Sequence, residues 1–518
     1  MIKELQVALQ IEDPLNEDSL KQYAAKALKI DVSKIDNAKI IKKSVDARQK
    51  IPKVNLTILI YDNSEKIEER KSLKFEDVSD SKPIHIIGAG PAGLFAAIRL
   101  IEKGLKPIIF ERGKDVSNRK IDIANIYKNK EVDPESNYCF GEGGAGAFSD
   151  GKLYTRSNKR GDINYILSNL VDNGADENIL YESHAHIGSD KLPTIIKSIR
   201  EKIIEAGGEI HFESKLDDLF IEAERIIAIS INKTRIPIDK LILATGHSAN
   251  DVYYLLEKHK IQFEAKPLAI GVRVEHLQEY INDVRYHGNY NPQYLEPATY
   301  SLVEQVDNRA VFSFCMCPGG SIIPSLTETD QLVVNGMSNS KRNGEYANSG
   351  IVVSVNLDDI QSYIEKYGQM GMLLFRDKIE QTFREHANNN LIAPAQNIKD
   401  FVYKKKSTKL YDNSYIPGVI SLDFNELLPE FITNALREGL KLFNAKFNGF
   451  IEEGIIIGAE TRTSSPIRIN RDNDTFQHVQ INNLYPCGEG AGYAGGITSS
   501  AIDGVNCANK ISLKETIS

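Results

Sequence analysis

Thirteen of the 36 glycines in this 518-residue chain fall in three short windows, 88–93, 141–151 and 488–496, where an even spread would leave about two. Glycine at that density marks backbone that must approach something closely, because a side chain would stand in the way. In the first window, Gly88-Ala89-Gly90-Pro91-Ala92-Gly93 follows the apolar run Pro83–Ile87 and precedes the apolar stretch Leu94–Lys103; a second extended run, Pro107–Phe110, then ends on Glu111. Strand, glycine turn, helix and terminal acid together mark a dinucleotide site. Gly88 permits the turn, Gly90 admits a pyrophosphate to the backbone, Gly93 lets helix and strand pack, and the anion sits at the helix N-terminus. Glu111 is placed to accept hydrogen bonds from ribose hydroxyls, with Arg112 beside it in the same site.

Cys315 and Cys317, after the extended run Ala310–Phe314 and before Pro318-Gly319-Gly320, are spaced to share one face of a strand. Such a pair can relay electrons between a redox cofactor and a disulfide, or hold a metal with further ligands; it can equally pack as two small hydrophobes. Lys152, closing the second glycine window, offers a cation to a cofactor or a substrate carboxylate, or is an exposed lysine beside a structural loop. Arg462 and Arg468 offer guanidinium groups to an acidic substrate or a phosphate, or form surface ion pairs. Cys315, Cys317, Lys152 and Arg462 are the candidate catalytic residues. His184 and His186 read as neighbours on a strand face, but no further ligand stands at supporting spacing and no metal is assigned. Ser189 or Asp190 is expected to cap the helix that begins near Lys191. Cys139 and Cys487 each precede a glycine window.

The elements that hold these residues follow from apolar periodicity. Residues 1–80 form a unit of their own: an apolar run at Leu5–Ile11, helical spacing from Asn16 to Ile30, and extended runs near Ile40 and at Val54–Tyr61, where Val54, Leu56, Ile58 and Ile60 alternate as in a strand. This is the order of a β-α-β-β module, followed by a charged linker, Asn63–Lys82. Its hairpin carries Lys39, Lys42, Lys43, Arg48, Lys50 and Lys53 against Asp46, either a solvated face or a docking patch for RNA, a nucleotide or an acidic protein. Further on, Leu192, Ile195, Ile196, Ile199 and Ile203 repeat at helical spacing, and extended runs follow at Glu209–Glu213, Arg225–Ile231 and Leu241–Thr245. The expected domains are 1–80, a small α+β module; 81–261, the first part of the dinucleotide-binding domain; 262–454, an inserted substrate or cap domain; and 455–518, the remainder of the dinucleotide-binding domain.

Two further segments bear on which dinucleotide. Leu241-Ile242-Leu243-Ala244-Thr245-Gly246 is an apolar strand ending in Ala-Thr-Gly, and Asn483–Gly490 is another, ending in Cys487-Gly488-Glu489-Gly490. With the glycine motif before them, the chain resembles the glutathione-reductase-like FAD flavoproteins, which carry these three segments in this order. The resemblance implies that Gly246 and Gly488 line the cofactor and that Glu489 takes the place of the family's aspartate at the ribitol chain. It implies that Gly495-Gly496-Ile497 opens a helix facing the flavin pyrimidine, where N–H groups stabilise the anion formed on reduction. It implies too that the loop 140–152, with Gly144 and Gly146, lies along the isoalloxazine, with Lys152 placed near N5 or a substrate carboxylate. A likeness covering nearly the whole chain is to a group of bacterial FAD-dependent dehydrogenases, carried by 141–153, Cys315–Gly320, Glu460–Pro466 and Gly488–Gly496. It implies FAD and redox activity and supplies no substrate.

The expected protein is thus α/β: a Rossmann-like FAD-binding domain (glutathione-reductase-like) with an inserted α+β substrate domain and a small N-terminal β-α-β-β module. Its expected function is that of an FAD-dependent oxidoreductase of dehydrogenase type, transferring hydride or electrons at flavin N5 with a small substrate. The alternatives are an RNA-associated flavoprotein that assists base modification through the basic module, and a protein that binds FAD without turnover. No second glycine motif with its own helix and acid marks a separate NAD(P) domain, which leaves NAD(P)H as a transient donor at the flavin face. A net charge of −8 offers no general field for nucleic acid. No run approaches the ~18 apolar residues of a membrane span. Five cysteines behind a start that lacks a secretory apolar core point to a reduced, cytoplasmic setting.

Overall fold

The computed structural model describes residues 3–61, 75–155, 160–388 and 390–515. Most of the charged linker read at Asn63–Lys82 lies outside the described residues. Lys3–Gln10, Asn37–Asp46 and Lys53–Tyr61 form an antiparallel sheet with Lys53–Tyr61 in the middle. The central strand is the one whose alternating Val54, Leu56, Ile58 and Ile60 fill the small core. Helix Glu17–Leu28, capped by the Asn16 side chain at the Ser19 amide, adds Leu20, Ala24 and Ala25. The basic hairpin is anchored to the rest of the chain. Lys43 N–H donates to the Tyr181 carbonyl and Ser183 N–H to that of Lys43, Lys43 Nζ pairs with Glu182 Oε1 at 2.7 Å, and His287 and Asn289 meet the Ala47 and Lys50 carbonyls. Arg48 turns back onto Asp46.

The dinucleotide-binding part is a five-stranded parallel sheet in the order Leu484–Pro486, Leu241–Leu243, Pro83–Ile87, Lys106–Phe110, Glu209–His211. Its central strands are short and almost wholly buried, as parallel strands covered on both faces must be. Strand order reverses at Pro83–Ile87, and that reversal opens a crevice at the strand's carboxyl end. Helix Pro91–Glu102 starts there. Helix Ile497–Glu515 packs along it so closely that a Cβ on Gly504 would stand 2.1 Å from the Ala92 carbonyl oxygen. A three-stranded antiparallel meander, Leu216–Glu222, Arg225–Ile231 and Thr234–Pro237, leads from the outer strand back to Leu241–Leu243.

The second large sheet has the order Val303–Val306, Arg309–Pro324, Tyr346–Val355, Leu268–Leu277, Ile455–Glu460, Ala393–Asn397, Val419–Ser421, with Val334–Ser338 also paired to Arg309–Pro324. Helices Gly371–His386 and Glu430–Lys446 share its core through Phe375, Phe383, Leu436 and Phe443. Sequence alone grouped Ile455–Glu460 with the dinucleotide-binding part; it pairs instead with Leu268–Leu277 and Ala393–Asn397. A wholly apolar run fits the interior of either sheet, and only its partners decide. The two crossings between the large sheets run side by side as an antiparallel ribbon of Phe263–Ala265 and Ile467–Ile469. Among the described residues, no helix is long and apolar enough to cross a membrane.

Candidate active site

The three glycine windows meet at the carboxyl end of the parallel sheet. A Cβ on Gly93 would stand 1.9 Å from the Gly88 carbonyl oxygen, and one on Gly88, whose φ is +103°, 2.4 Å from that of Ala244. Turn, helix and neighbouring strand interlock only without those side chains. A Cβ on Gly90 would have Gly144 Cα at 3.8 Å, one on Gly488 the Ala92 Cβ at 2.8 Å, and one on Gly146 the Ile497 side chain at 3.0 Å. The windows therefore touch one another around the start of helix Pro91–Glu102, whose N-cap Gly90 brings no side chain to the first amides. At Gly246, Gly495 and Gly496 the space a Cβ would fill is open. Beside Gly246, His247 Nε2 is buried without a partner among the described residues, while its Nδ1 lies 3.5 Å from Glu489 Oε1. Uncapped amides, open glycines, an unpartnered imidazole nitrogen and the partly exposed Glu489 suit a flat, phosphate-bearing ligand, and FAD fits that set.

Glu111 is engaged by backbone. Its Oε2 accepts the Ala89 N–H at 2.8 Å and its Oε1 those of Gly113 and Gly141 at 3.0 Å each, stapling the first glycine turn to the second window. Arg112 pairs with Glu135 at 2.6 Å and Asp251 at 2.8 Å and lies over the Phe140 ring. Arg119, which no motif announces, and Glu142 of the window itself hold the second window. Buried Arg119 donates to the Asn137, Gly141 and Glu142 carbonyls; Glu142, pushed up to about 7 by burial, accepts the Val116 N–H. In the third window, Asp503 accepts the Gly488 N–H at 2.7 Å and is gripped by Arg471 at 2.6 and 2.9 Å.

Lys152, Cys315 and Cys317 come together where the 141–153 loop meets the second sheet. Strand Arg309–Pro324 shifts register between Phe314 and Cys317 and again between Cys317 and Gly320. Cys315 takes φ +45°, a left-handed conformation costing about 1–2 kcal/mol for a residue with a Cβ. Both sulfurs face Lys152 Nζ, at 3.9 Å for Cys315 and 3.7 Å for Cys317. Arg273 Nη2 donates to Cys317 Sγ at 3.5 Å and to the Cys315 carbonyl at 2.8 Å, while its Nη1 holds Glu460 Oε2 at 2.7 Å. Asp150 lies 3.3 Å from Lys152 and is held by both arms of the Arg342 fork. The Cys317 thiol donates to the Cys315 carbonyl oxygen at 3.4 Å. Its nearness, with Lys152 and Arg273 close by, pulls Cys315 well below an ordinary thiol, and the nearness of Cys315 together with burial pushes Cys317 well above it. Cys315 is partly exposed and Cys317 buried. One residue beyond Lys152, the Leu153 carbonyl accepts the Thr498 hydroxyl at 2.8 Å, tying this cluster to the start of helix Ile497–Glu515.

The other candidates lie apart from this cluster. Arg462 forks onto Glu380 at 3.1 and 2.8 Å and donates to Thr327 Oγ1 at 3.0 Å, all buried, which leaves it no free arm for an acidic substrate. Arg468 lies 3.4 Å from Glu264 at the surface. His184 and His186 do not share a strand: His184 sits in a turn and His186 makes a single bridge, to Lys152. Two-residue spacing aligns side chains only where the backbone is extended. Neither Ser189 nor Asp190 caps the next helix. Asp190 takes the amide and hydroxyl of Ser340, and helix Leu192–Glu205 opens after Lys191 without a side-chain cap. Cys487, Asp503 and Cys507 lie close enough to suit a metal, but the Arg471 guanidinium already neutralises the acidic member.

Family models match the chain in three consecutive blocks: a domain of unknown function over 1–61, a pyridine nucleotide-disulphide oxidoreductase domain over 82–266, and a FAD-dependent protein, C-terminal domain-like region over 267–463. An uncharacterised protein of Clostridium beijerinckii (strain ATCC 51743 / NCIMB 8052) is 39% identical over 526 residues, covering 98% of this chain and 97% of the relative. The chain belongs to one family with that clostridial protein. It is a flavoprotein of the FAD-dependent oxidoreductase type with a Rossmann-type nucleotide-binding domain. Two solved structures align loosely. CtdE in complex with FAD and substrate 4 is 11% identical, with a TM-score of 0.36 over 84% of this chain and 80% of that one. A geranylgeranyl bacteriochlorophyll reductase-like protein from Thermoplasma acidophilum is 11% identical, with a TM-score of 0.35 over 84% and 80%.

Proposed function

We propose that FAD lies across the crevice of the parallel sheet and that a small substrate is oxidised or reduced between that domain and the second large sheet. The observation that carries this reading is the convergence of three glycine windows at one uncapped helix N-terminus. The pyrophosphate belongs at the Gly88–Gly93 turn, where the first amides of the helix and its dipole favour an anion. Of about four acceptor positions on the Glu111 carboxylate, three are taken by amides, which leaves one for a ribose hydroxyl beside Arg112. Glu489, with His247 against it, belongs at the ribitol chain. Gly144 and Gly146 present bare backbone to the ring system, and the amides at Gly496 and Ile497 aim the positive end of the last helix at the pyrimidine, beside Gly495, whose N–H is held by Ser499 Oγ at 3.1 Å.

When bound, the flavin supplies the hydride or electron-transfer chemistry, while the chain supplies position and charge. Residues 262–454 form the substrate side of the site, and NAD(P)H is a transient donor at the same face. Absorbance in the visible range tests the cofactor directly. A yellow protein whose Tm rises with added FAD supports the reading; a colourless chain that gains no stability from FAD overturns it. Anaerobic photoreduction followed by a screen of acceptors then tests turnover, since a structural flavin would reoxidise without preference.

A further inference from the structure

We propose that Cys315 and Cys317 are a redox-active dithiol that reduces a disulfide substrate, with Cys315 as the attacking sulfur, Cys317 as the resolving sulfur and Lys152 as their positioning cation. The roles follow from placement. Cys315 is the more exposed residue of the two, and Cys317 is buried. Cys315 is also the sulfur pulled well below an ordinary thiol by the adjoining Cys317 thiol and by Lys152, whose Nζ lies 3.9 Å away; the thiolate is the form that attacks a disulfide. The groups facing the pair come from several elements: Asp150 and Lys152 on the glycine loop, Arg273 and Glu460 on adjacent strands, His186 and Arg342 against Asp150, and Tyr300 near Cys317. Among the described residues, the cations nearest the sulfurs are Lys152 and Arg273.

Attack by Cys315 forms a mixed disulfide with one half of the substrate, breaks the substrate S–S bond and releases the other half, which takes a proton from solvent. Cys317 then gives up its proton and attacks Cys315 Sγ; the second half leaves as a thiol and the Cys315–Cys317 disulfide closes. Two electrons have passed from the dithiol to the substrate, with one proton from Cys317 and one from solvent. Restoring the thiolate and thiol takes one hydride equivalent. A reduced flavin is the chemical class of donor, and only for that resupply does the inference rest on the FAD reading.

The test uses the full chain as purified, with glutathione disulfide as oxidant and iodoacetamide as alkylating probe, read by peptide mass. The expected result is loss of two hydrogens and a cross-linked Cys315–Cys317 peptide. Cys317→Ser should stop at a mixed disulfide on Cys315, and Cys315→Ser should form no adduct at this strand. Lys152→Met should raise the pH midpoint of Cys315 alkylation and slow the reaction at neutral pH about tenfold. Cys315 alkylated no faster than Cys139, or no mixed disulfide in Cys317→Ser, would overturn the proposal. These readouts need no bound flavin. A colourless chain with this thiol chemistry would sink the cofactor reading alone, and a yellow chain with inert thiols would sink this one.

Discussion

Gly144 Cα lies 3.8 Å from the position a Cβ on Gly90 would take, an ordinary van der Waals separation. Gly90 also has φ −76°, which any residue adopts. The two loops thus accept an alanine at Gly90, whereas a pyrophosphate against the same backbone does not. Gly90→Ala is expected to leave the Tm of the flavin-free chain unchanged and to weaken FAD binding at least about tenfold, or ~1.4 kcal/mol. Gly93→Ala sets its Cβ 1.9 Å from the Gly88 carbonyl oxygen and should cost the flavin-free fold about 3 kcal/mol. Thermal melts with and without FAD separate the two, and an equal loss of Tm in both variants would contradict the assignment of Gly90.

Asp150 links the thiol cluster to acid stability. Burial raises its carboxyl, but Lys152 and Arg342 more than offset this and hold it at about 2, against an ordinary 3.8. Because the folded value is the lower one, this contribution is present above pH 3.8 and is lost as the pH falls through about 2; it is worth about 2 kcal/mol. Asp150→Asn takes from the buried Arg342 fork its nearer charge partner, leaving it Glu296 at 3.6 Å, and should cost about 3 kcal/mol at neutral pH. It should also flatten the acid limb of stability against pH. Denaturant midpoints measured from neutral to acid pH check both, and an unchanged acid limb in the variant would rule Asp150 out as its source.

The cofactor half of the site was legible because its signals are local. A glycine turn between a strand and a helix, followed by an acid, constrains backbone within some 25 residues. The thiol cluster was only half legible. The Cys-x-Cys spacing proposed the pair, but the positive φ at Cys315 and the register shifts around it leave no mark in the sequence, and Lys152 reaches Cys315 across 163 residues. The setting of Arg462 is hidden for the same reason: its partner Glu380 lies 82 residues away, on helix Gly371–His386. His184 and His186 failed where the chain turns and spacing carries no facing information. Arg119, His247, Arg471 and Asp503 are single polar residues without a motif, and only the packed structure shows what they hold.

The N-terminal module is docked by a pair that a double-mutant cycle can measure. Lys43 Nζ lies 2.7 Å from Glu182 Oε1, with both side chains about one-quarter exposed, and two backbone hydrogen bonds join the same segments. Lys43→Glu should lower stability by about 1 kcal/mol, and Glu182→Lys in the same chain should restore most of the loss. Limited proteolysis should release the module faster from the single variant than from the double. Equal cleavage in both would show that the ion pair does not hold the module.

Arg471 anchors the third glycine window without being part of any motif. Its guanidinium lies 4.1 Å from the centre of the Phe476 ring and 3.8 Å from that of Tyr493, and it forks onto Asp503, whose Oδ2 also accepts the Gly488 N–H. Removing the cation strands a buried carboxylate, so Arg471→Met should cost about 3–5 kcal/mol. Adding Asp503→Asn removes the stranded charge and should recover part of that loss, because the two sites are strongly coupled. FAD retention should fall in Arg471→Met more than in Lys43→Glu, since Gly488 loses its fixed acceptor only in the first. A chelator should leave the Tm of the parent chain unchanged, because the guanidinium supplies the charge that Cys487, Asp503 and Cys507 surround. A Tm that drops on chelation would replace this clamp with a metal site.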